Sequence, residues 1–237
     1  MKILSFKRIE KKYLINQSQY EELLKGIRGH MKLDPYCENN KTYKIQNIYY
    51  DTINNTLISN SINKPIYKEK LRVRKYYEAD SYFIELKKKA CGVVGKRRVV
   101  VNKEELASFF KGDNLEHITD YESRMAIKEI KYLMKRYELM PKVYLSYDRL
   151  GFFDLEDPTL RLTLDNNIHS RRSNLSFKTN ESTIDVIKKD EYILEIKVKN
   201  NYPLWLARLL DNLKIRSSSF SKYGEEYKLY LTGGKYA

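Results

Sequence analysis

Apolar and charged positions alternate with a period of two along much of this chain, the spacing of extended strands with one apolar and one polar face. The clearest case is Thr159–Asp165, where Leu160, Leu162 and Leu164 share one face and Arg161, Thr163 and Asp165 the other. Tyr67–Tyr76 aligns Lys68, Lys70, Arg72 and Arg74 on a single face. Tyr82–Lys88 sets Phe83, Glu85 and Lys87 against Ile84 and Leu86, and Val94–Val101 sets Lys96 and Arg98 against Val99 and Val101. Gly92 and Gly95 bracket the turn between these two, which predicts a hairpin. Tyr192–Val198 opposes Ile193, Glu195 and Lys197 to Leu194, Ile196 and Val198. In Phe6–Ile15, Arg8, Glu10, Lys12 and Leu14 face away from Ile9, Tyr13 and Ile15. Thr42–Asp51 and Lys142–Leu150, the latter with Val143, Leu145, Tyr147 and Arg149 in phase, complete eight predicted strands.

Helical spacing appears in four places. Ser18–Gly26 opens with a Ser cap and has Glu21 three residues on. Asn102 caps Lys103–Phe110. Asp120–Tyr137 repeats Ala126, Ile130, Leu133, Met134 and Tyr137, and Pro203 starts a helix carrying Leu206, Leu209, Leu210 and Leu213. The stretch with Asn54, Asn55, Asn60 and Asn63 reads as polar turns, Ser170–Asp190 as loops, and Gly233-Gly234 as a frayed end.

Charge sharpens this picture. The 45 Lys and Arg exceed the 31 Asp and Glu, giving +14, so the chain calls for an anionic partner. Same-face neighbours on a strand lie about 7 Å apart, where two like charges repel by about 2 kcal/mol at an effective dielectric near 20. The row from Lys68 to Arg74 is therefore costly unless carboxylates or a bound polyanion offset it. The polar faces hold fixed cations and occasional carboxylates, with little Ser, Thr or Gln. A sheet closed with that face inward would form a cationic tunnel suited to polyphosphate; an open sheet with a solvated basic face is the plainer reading. Nucleic-acid binding finds no fingerprint, neither zinc-finger spacing nor an RNP-like signature. His30, His117 and His169 form no triad. Cys37 and Cys91 are isolated and suit a reducing compartment. The N-terminal residues reach charge too soon for a signal-peptide apolar region, and Arg208 and Asp211 interrupt the most apolar stretch, Tyr202–Leu213. These features predict a soluble, cytoplasmic protein.

Eight segments, in order, resemble the VTC domain, the polyphosphate polymerase domain within the triphosphate tunnel metalloenzyme (CYTH-like) superfamily. They are R-I-E-K-K-Y from Arg8, N-I-Y-Y-D from Asn47, K-L-R-V-R from Lys70, F-I-E-L-K from Phe83, G-K-R-R from Gly95, L-R-L-T-L-D from Leu160, L-E-I-K from Leu194 and F-S-K-Y from Phe220. The resemblance covers almost the whole chain and implies an α+β fold, one domain over residues 1–237. Its expected architecture is a closed eight-stranded antiparallel β-barrel, a tunnel with flanking helices. It implies an enzyme that moves the terminal phosphate of ATP onto a polyphosphate chain, with Mn²⁺ or Mg²⁺. Carried over by motif, Lys12, Arg72, Arg74 and Lys222 would act at the reacting phosphates, Lys222 near the tunnel mouth. Arg8, Lys70, Lys87, Lys96, Arg98, Arg149, Arg161 and Lys197 would hold the substrate chain, and Glu195 and Glu10 the metal.

Hydrolytic relatives begin with E-x-E-x-K, whereas Arg8-Ile9-Glu10-Lys11-Lys12 reads R-x-E-x-K. Losing that carboxylate weakens a site that activates water, which favours a polymerase over a metal-dependent inorganic triphosphatase. A non-catalytic polyphosphate-binding module is the third reading, and Glu10, Glu85 and Glu195 count against it. The expected partners are ATP and polyphosphate, no nucleic acid, and a separate membrane partner if the product is exported.

Overall fold

The structure, a computed structural model, describes residues 9–37, 41–63, 66–91 and 93–233. Arg8, Gly92 and Gly234 lie outside the described residues. In chain order the first elements are β1 (Ile9–Asn16), α1 (Gln17–Gly26), β2 (Met31–Leu33), β3 (Tyr43–Asp51) and α2 (Thr56–Ile62). Next come β4 (Tyr67–Tyr76), β5 (Tyr82–Ala90), β6 (Val93–Val101), α3 (Lys103–Lys111) and α4 (Tyr121–Arg136). The last are β7 (Met140–Asp154), β8 (Arg161–Arg171), β9 (Ile184–Asp185), β10 (Glu191–Val198), α5 (Leu204–Asn212) and α6 (Lys222–Leu231).

The strands form one ladder in the order β1-β10-β8-β7-β3-β4-β5-β6, with β2 added to β7 and β9 to β8. The β1–β10, β10–β8, β3–β4, β4–β5 and β5–β6 pairs are antiparallel. Among the described residues the expected closed barrel does not form: β1 and β6 end the ladder, each with one strand neighbour. The free edge of β1 is met instead by an isolated bridge, Ser218 N–H donating to the Lys12 carbonyl at 2.8 Å.

The chain divides into two compact units. The first holds the described parts of 1–44, 147–168 and 185–222, and the second those of 45–146, 169–184 and 223–237. In the first, the alternation of β1, β8 and β10 sends Tyr13, Ile15, Leu162, Leu164, Leu194 and Ile196 into a core closed by Leu23 of α1 and Leu206 and Leu210 of α5. In the second, Leu71, Val73, Ile84, Leu86, Val99 and Val101 face Ala126, Ile130 and Leu133 of α4. Each such buried aliphatic side chain contributes about 1.5–3 kcal/mol relative to exposure. Removing these apolar side chains from water fixes which face is left for the charges.

The helix starts are set by caps. Asn16 Oδ1 accepts from Gln19 N at 2.9 Å while Gln19 Oε1 accepts from Asn16 N at 3.1 Å, so the capping box sits two residues before the expected Ser18–Glu21 box. Asn102 caps α3 as expected, and Glu105 completes a capping box with it. The Asn-rich turn region instead contains α2, because buried Asp51 accepts from Leu57 N at 2.8 Å and Ile58 N at 2.9 Å. Residues 170–171 extend β8 rather than starting a loop, and α6 is ordered by Arg172, which donates to both Glu226 oxygens at 2.8 and 3.0 Å.

Candidate active site

Each unit presents a charged face on the side of its sheet away from its core. In the first unit, register pairs Glu10 with Lys197, Lys12 with Glu195, Glu195 with Thr163 and Lys197 with Arg161. Alternation then places Glu10, Lys12, Arg161, Thr163, Asp165, Glu195 and Lys197 on one face. Lys12 Nζ lies 3.7 Å from Glu10 Oε1 and 3.6 Å from Glu195 Oε2, and Lys197 Nζ contacts the other Glu195 oxygen. Burial pushes the Glu195 carboxyl up, but Lys197, then Lys12, Arg149 and Lys222, outweigh it and hold the group well below the usual carboxylate range.

Asp165 is fully buried beside this group. Arg149 Nε and Nη2 donate to its two oxygens at 2.6 and 2.7 Å, and Lys222 Nζ donates at 2.6 Å. Desolvation raises its pKa; Arg149 and Lys222 more than reverse this and bring it to about 2. Tyr147 lies under both cations, with Arg149 Cζ 5.3 Å and Lys222 Nζ 4.5 Å from its ring centroid. Arg161 donates Nη2 to Asp34 Oδ2 at 2.5 Å and stacks over Phe153. Gly151 leaves the room Asp34 needs, since a Cβ there would stand 3.1 Å from Asp34 Cβ and Oδ2.

In the second unit, Lys70, Arg72 and Arg74 of β4 lie opposite Lys87, Glu85 and Phe83 of β5, which lie opposite Lys96, Arg98 and Val100 of β6. Glu85, 2% exposed, is the hub. Arg72 Nε donates to its Oε2 at 2.8 Å, Arg74 Nε stands 3.8 Å from the same oxygen, and Lys96 Nζ lies 2.5 Å from Oε1. Burial would raise the Glu85 pKa, but Arg72, Arg74 and Lys96 hold it far below the ordinary value. Lys96 responds in the opposite sense: desolvation, only partly offset by Glu85, pushes it down to about 8. Arg72 also donates Nη1 to Tyr49 at 3.1 Å, and Arg74 donates Nε to Asn47 at 3.0 Å. The result is a set of fixed donors whose shared carboxylate leaves the face strongly positive, an arrangement for multiply charged oxyanions.

The structure thus gathers Glu10, Lys12, Arg149, Arg161, Glu195, Lys197 and Lys222 in the first unit, and Lys70, Arg72, Arg74, Lys87, Lys96 and Arg98 in the second. Sequence reasoning passed over Asp34, Asn47 and Tyr49 as partners. Asp165 carried a signal, since it lies in phase with Arg161 and Thr163.

A family model of the VTC domain matches residues 7–231. The chain belongs to the VTC domain family. No curated protein matches its sequence. Among solved structures, this VTC domain is similar to a candidate adenylate cyclase from Bacillus halodurans, with 15% identity, 90% of this chain and 93% of that one covered, and a TM-score of 0.53. It is also similar to a candidate adenylyl cyclase from Hippeastrum, described as having a dominant triphosphatase activity, with 17% identity, 95% and 96% coverage, and a TM-score of 0.53. These likenesses show a shared fold.

The superfamily implies a divalent metal. Among the described residues no group of three acidic, His or Cys side chains gathers. Glu10 and Glu195 of this VTC domain nevertheless converge on one ammonium group, and across the strands from Glu195 the buried Thr163 Oγ1 has no hydrogen-bond partner. Oxygen donors in that number fit Mg²⁺ or Mn²⁺, which keep several waters and complete their shells with phosphate oxygens.

Proposed function

We propose that this VTC domain is an ATP-dependent polyphosphate polymerase. The observation that carries the reading is the arrangement of Arg72, Arg74 and Lys96 around Glu85. Phosphoryl transfer asks the protein for positioning and charge neutralisation more than for a covalent nucleophile. A terminal oxygen of the polyphosphate chain attacks the γ-phosphorus of ATP, the bond to the β–γ bridging oxygen breaks, and ADP leaves. Arg72, Arg74 and Lys96 neutralise charge on the transferring phosphates, while Glu85 fixes their geometry. Lys12 and Lys197 bind phosphate oxygens beside Glu195, and Arg149 and Lys222, locked on Asp165, hold that face positive. Mn²⁺ or Mg²⁺ held by Glu10 and Glu195 would neutralise charge on phosphates bound at the first unit's face.

A triphosphatase is the second reading, favoured by the activity described for the Hippeastrum protein. Against it stand Arg8 in place of the hydrolases' first carboxylate and a lysine, Lys12, held between the two remaining ones. Both features disfavour a metal-activated water. Among the described residues no helix is long and apolar enough to cross a membrane.

Incubating the purified protein with ATP and Mn²⁺, then dividing the sample between a polyphosphate gel and a free-phosphate assay, tests the proposal. A ladder that Arg72→Ala/Arg74→Ala removes is expected. Orthophosphate without a ladder would replace the polymerase by the hydrolase.

A further inference from the structure

Phe83 and Val100 are apolar residues on the cationic face of the second unit. Register sets Phe83 opposite Arg74 on β4 and Val100 on β6, so both share the face of Arg72, Glu85 and Lys96 rather than that of the Ile84 and Leu86 core. Neither is buried, and Val100 is 49% exposed. Tyr76 meets the Phe83 ring edge-on, with centroids 5.4 Å apart and an interplanar angle of 85°. The Arg98 guanidinium lies 5.0 Å from the Phe83 ring centroid.

A partly wet aromatic ring would ordinarily turn toward the core. This one is held by its strand parity at the end of a cation cluster, framed by a tyrosine edge and a guanidinium. Those are the components of a base-stacking platform: a π-face, an apolar wall and a planar cation. Spacing supplies a second argument. Along β5, Phe83, Glu85 and Lys87 follow one another at intervals of about 7 Å. A base on Phe83 therefore leaves its triphosphate running over Arg72, Arg74 and Lys96 toward Lys70 and Lys87.

We propose that Phe83, with Tyr76 and Arg98, is the nucleobase platform of this face, and that it selects a nucleoside triphosphate over inorganic triphosphate. The inference rests on the reading of ATP as phosphate donor given above. Stacking favours a large ring over a particular base edge, so ATP and GTP should bind alike and more tightly than CTP.

Calorimetric titration in EDTA of ATP and of tripolyphosphate, which has the phosphates without the base, tests this. Phe83→Leu should weaken ATP binding about tenfold and tripolyphosphate binding less than about twofold, whereas Phe83→Trp should keep ATP within about twofold of the wild type. Equal losses for the two ligands in both variants, or ATP binding unchanged in Phe83→Leu, would overturn the platform and leave the phosphate cluster standing. A wild-type protein that binds neither ligand would overturn the polymerase reading and the platform together.

Discussion

Arg149 grips Asp165 with a two-pronged hydrogen bond, Nε and Nη2 reaching the two carboxylate oxygens at 2.6 and 2.7 Å, deep in the first unit. The pair fixes the guanidinium on the polar face of β7 and lets it act on a ligand without moving. It also makes Asp165 the counter-charge for two cations, because Lys222 shares the same carboxylate.

Asp165→Asn should therefore be costly. It strands Arg149 and Lys222, whose side chains are each only 11% exposed, without their partner, a change worth about 3–5 kcal/mol in comparable buried pairs. Urea unfolding at neutral pH measures the loss. Adding Arg149→Met should recover part of it, since the stranded guanidinium is then removed.

The same residue sets an acid limit. Its folded pKa of about 2 lies below the ordinary 3.8, so the ionised form is favoured by folding. That contribution is complete above about pH 4 and is lost as pH falls through about 2; it amounts to on the order of 2 kcal/mol. The stability gap between wild type and Asp165→Asn should shrink by this amount between about pH 5 and pH 2. A gap that stays constant would show that the carboxylate's charge contributes nothing.

Lys96 sets a limit on the alkaline side. With its pKa pushed down to about 8, it gives up its proton just above neutrality, while phosphate groups only gain charge there. Tripolyphosphate affinity should fall between about pH 7 and pH 9 in the wild type. In Lys96→Arg, whose guanidinium stays charged, the fall should flatten. Titration calorimetry across this range reads both curves.

For the metal, saturating Mn²⁺ should raise the melting temperature of the wild type by several degrees, as any ligand of the native state does. Glu195→Gln should abolish most of that shift, and Glu10→Gln should reduce it. An unaltered shift in Glu195→Gln would remove Glu195 from the metal site.

The charged faces were legible in the sequence because strand parity is local. Lys70, Arg72 and Arg74 share a face whatever the rest of the chain does, and so do Phe83, Glu85 and Lys87. What parity could not supply were partners distant in sequence. Asp34 meets Arg161 across 127 positions, and Lys222 meets Asp165 across 57. Helix α2 was hidden for a related reason: its N-terminal amides are satisfied by Asp51, at the end of a strand and six residues before Leu57, outside the spacing of a local cap. Barrel closure was also beyond alternation, which reports that a strand has two faces and says nothing of which edge another strand meets. At β1 that edge is met by Ser218.

The most direct test of the central claim is transfer from ATP labelled at the γ-phosphate to a polyphosphate primer of defined length, with Mn²⁺ present and both products followed. The account predicts labelled polyphosphate longer than the primer, ADP in equal amount to the phosphate transferred, and a fall of roughly 100- to 1000-fold in Arg72→Ala, the scale of losing one charge-stabilising donor. Label appearing only as orthophosphate, with the primer unextended, would contradict it.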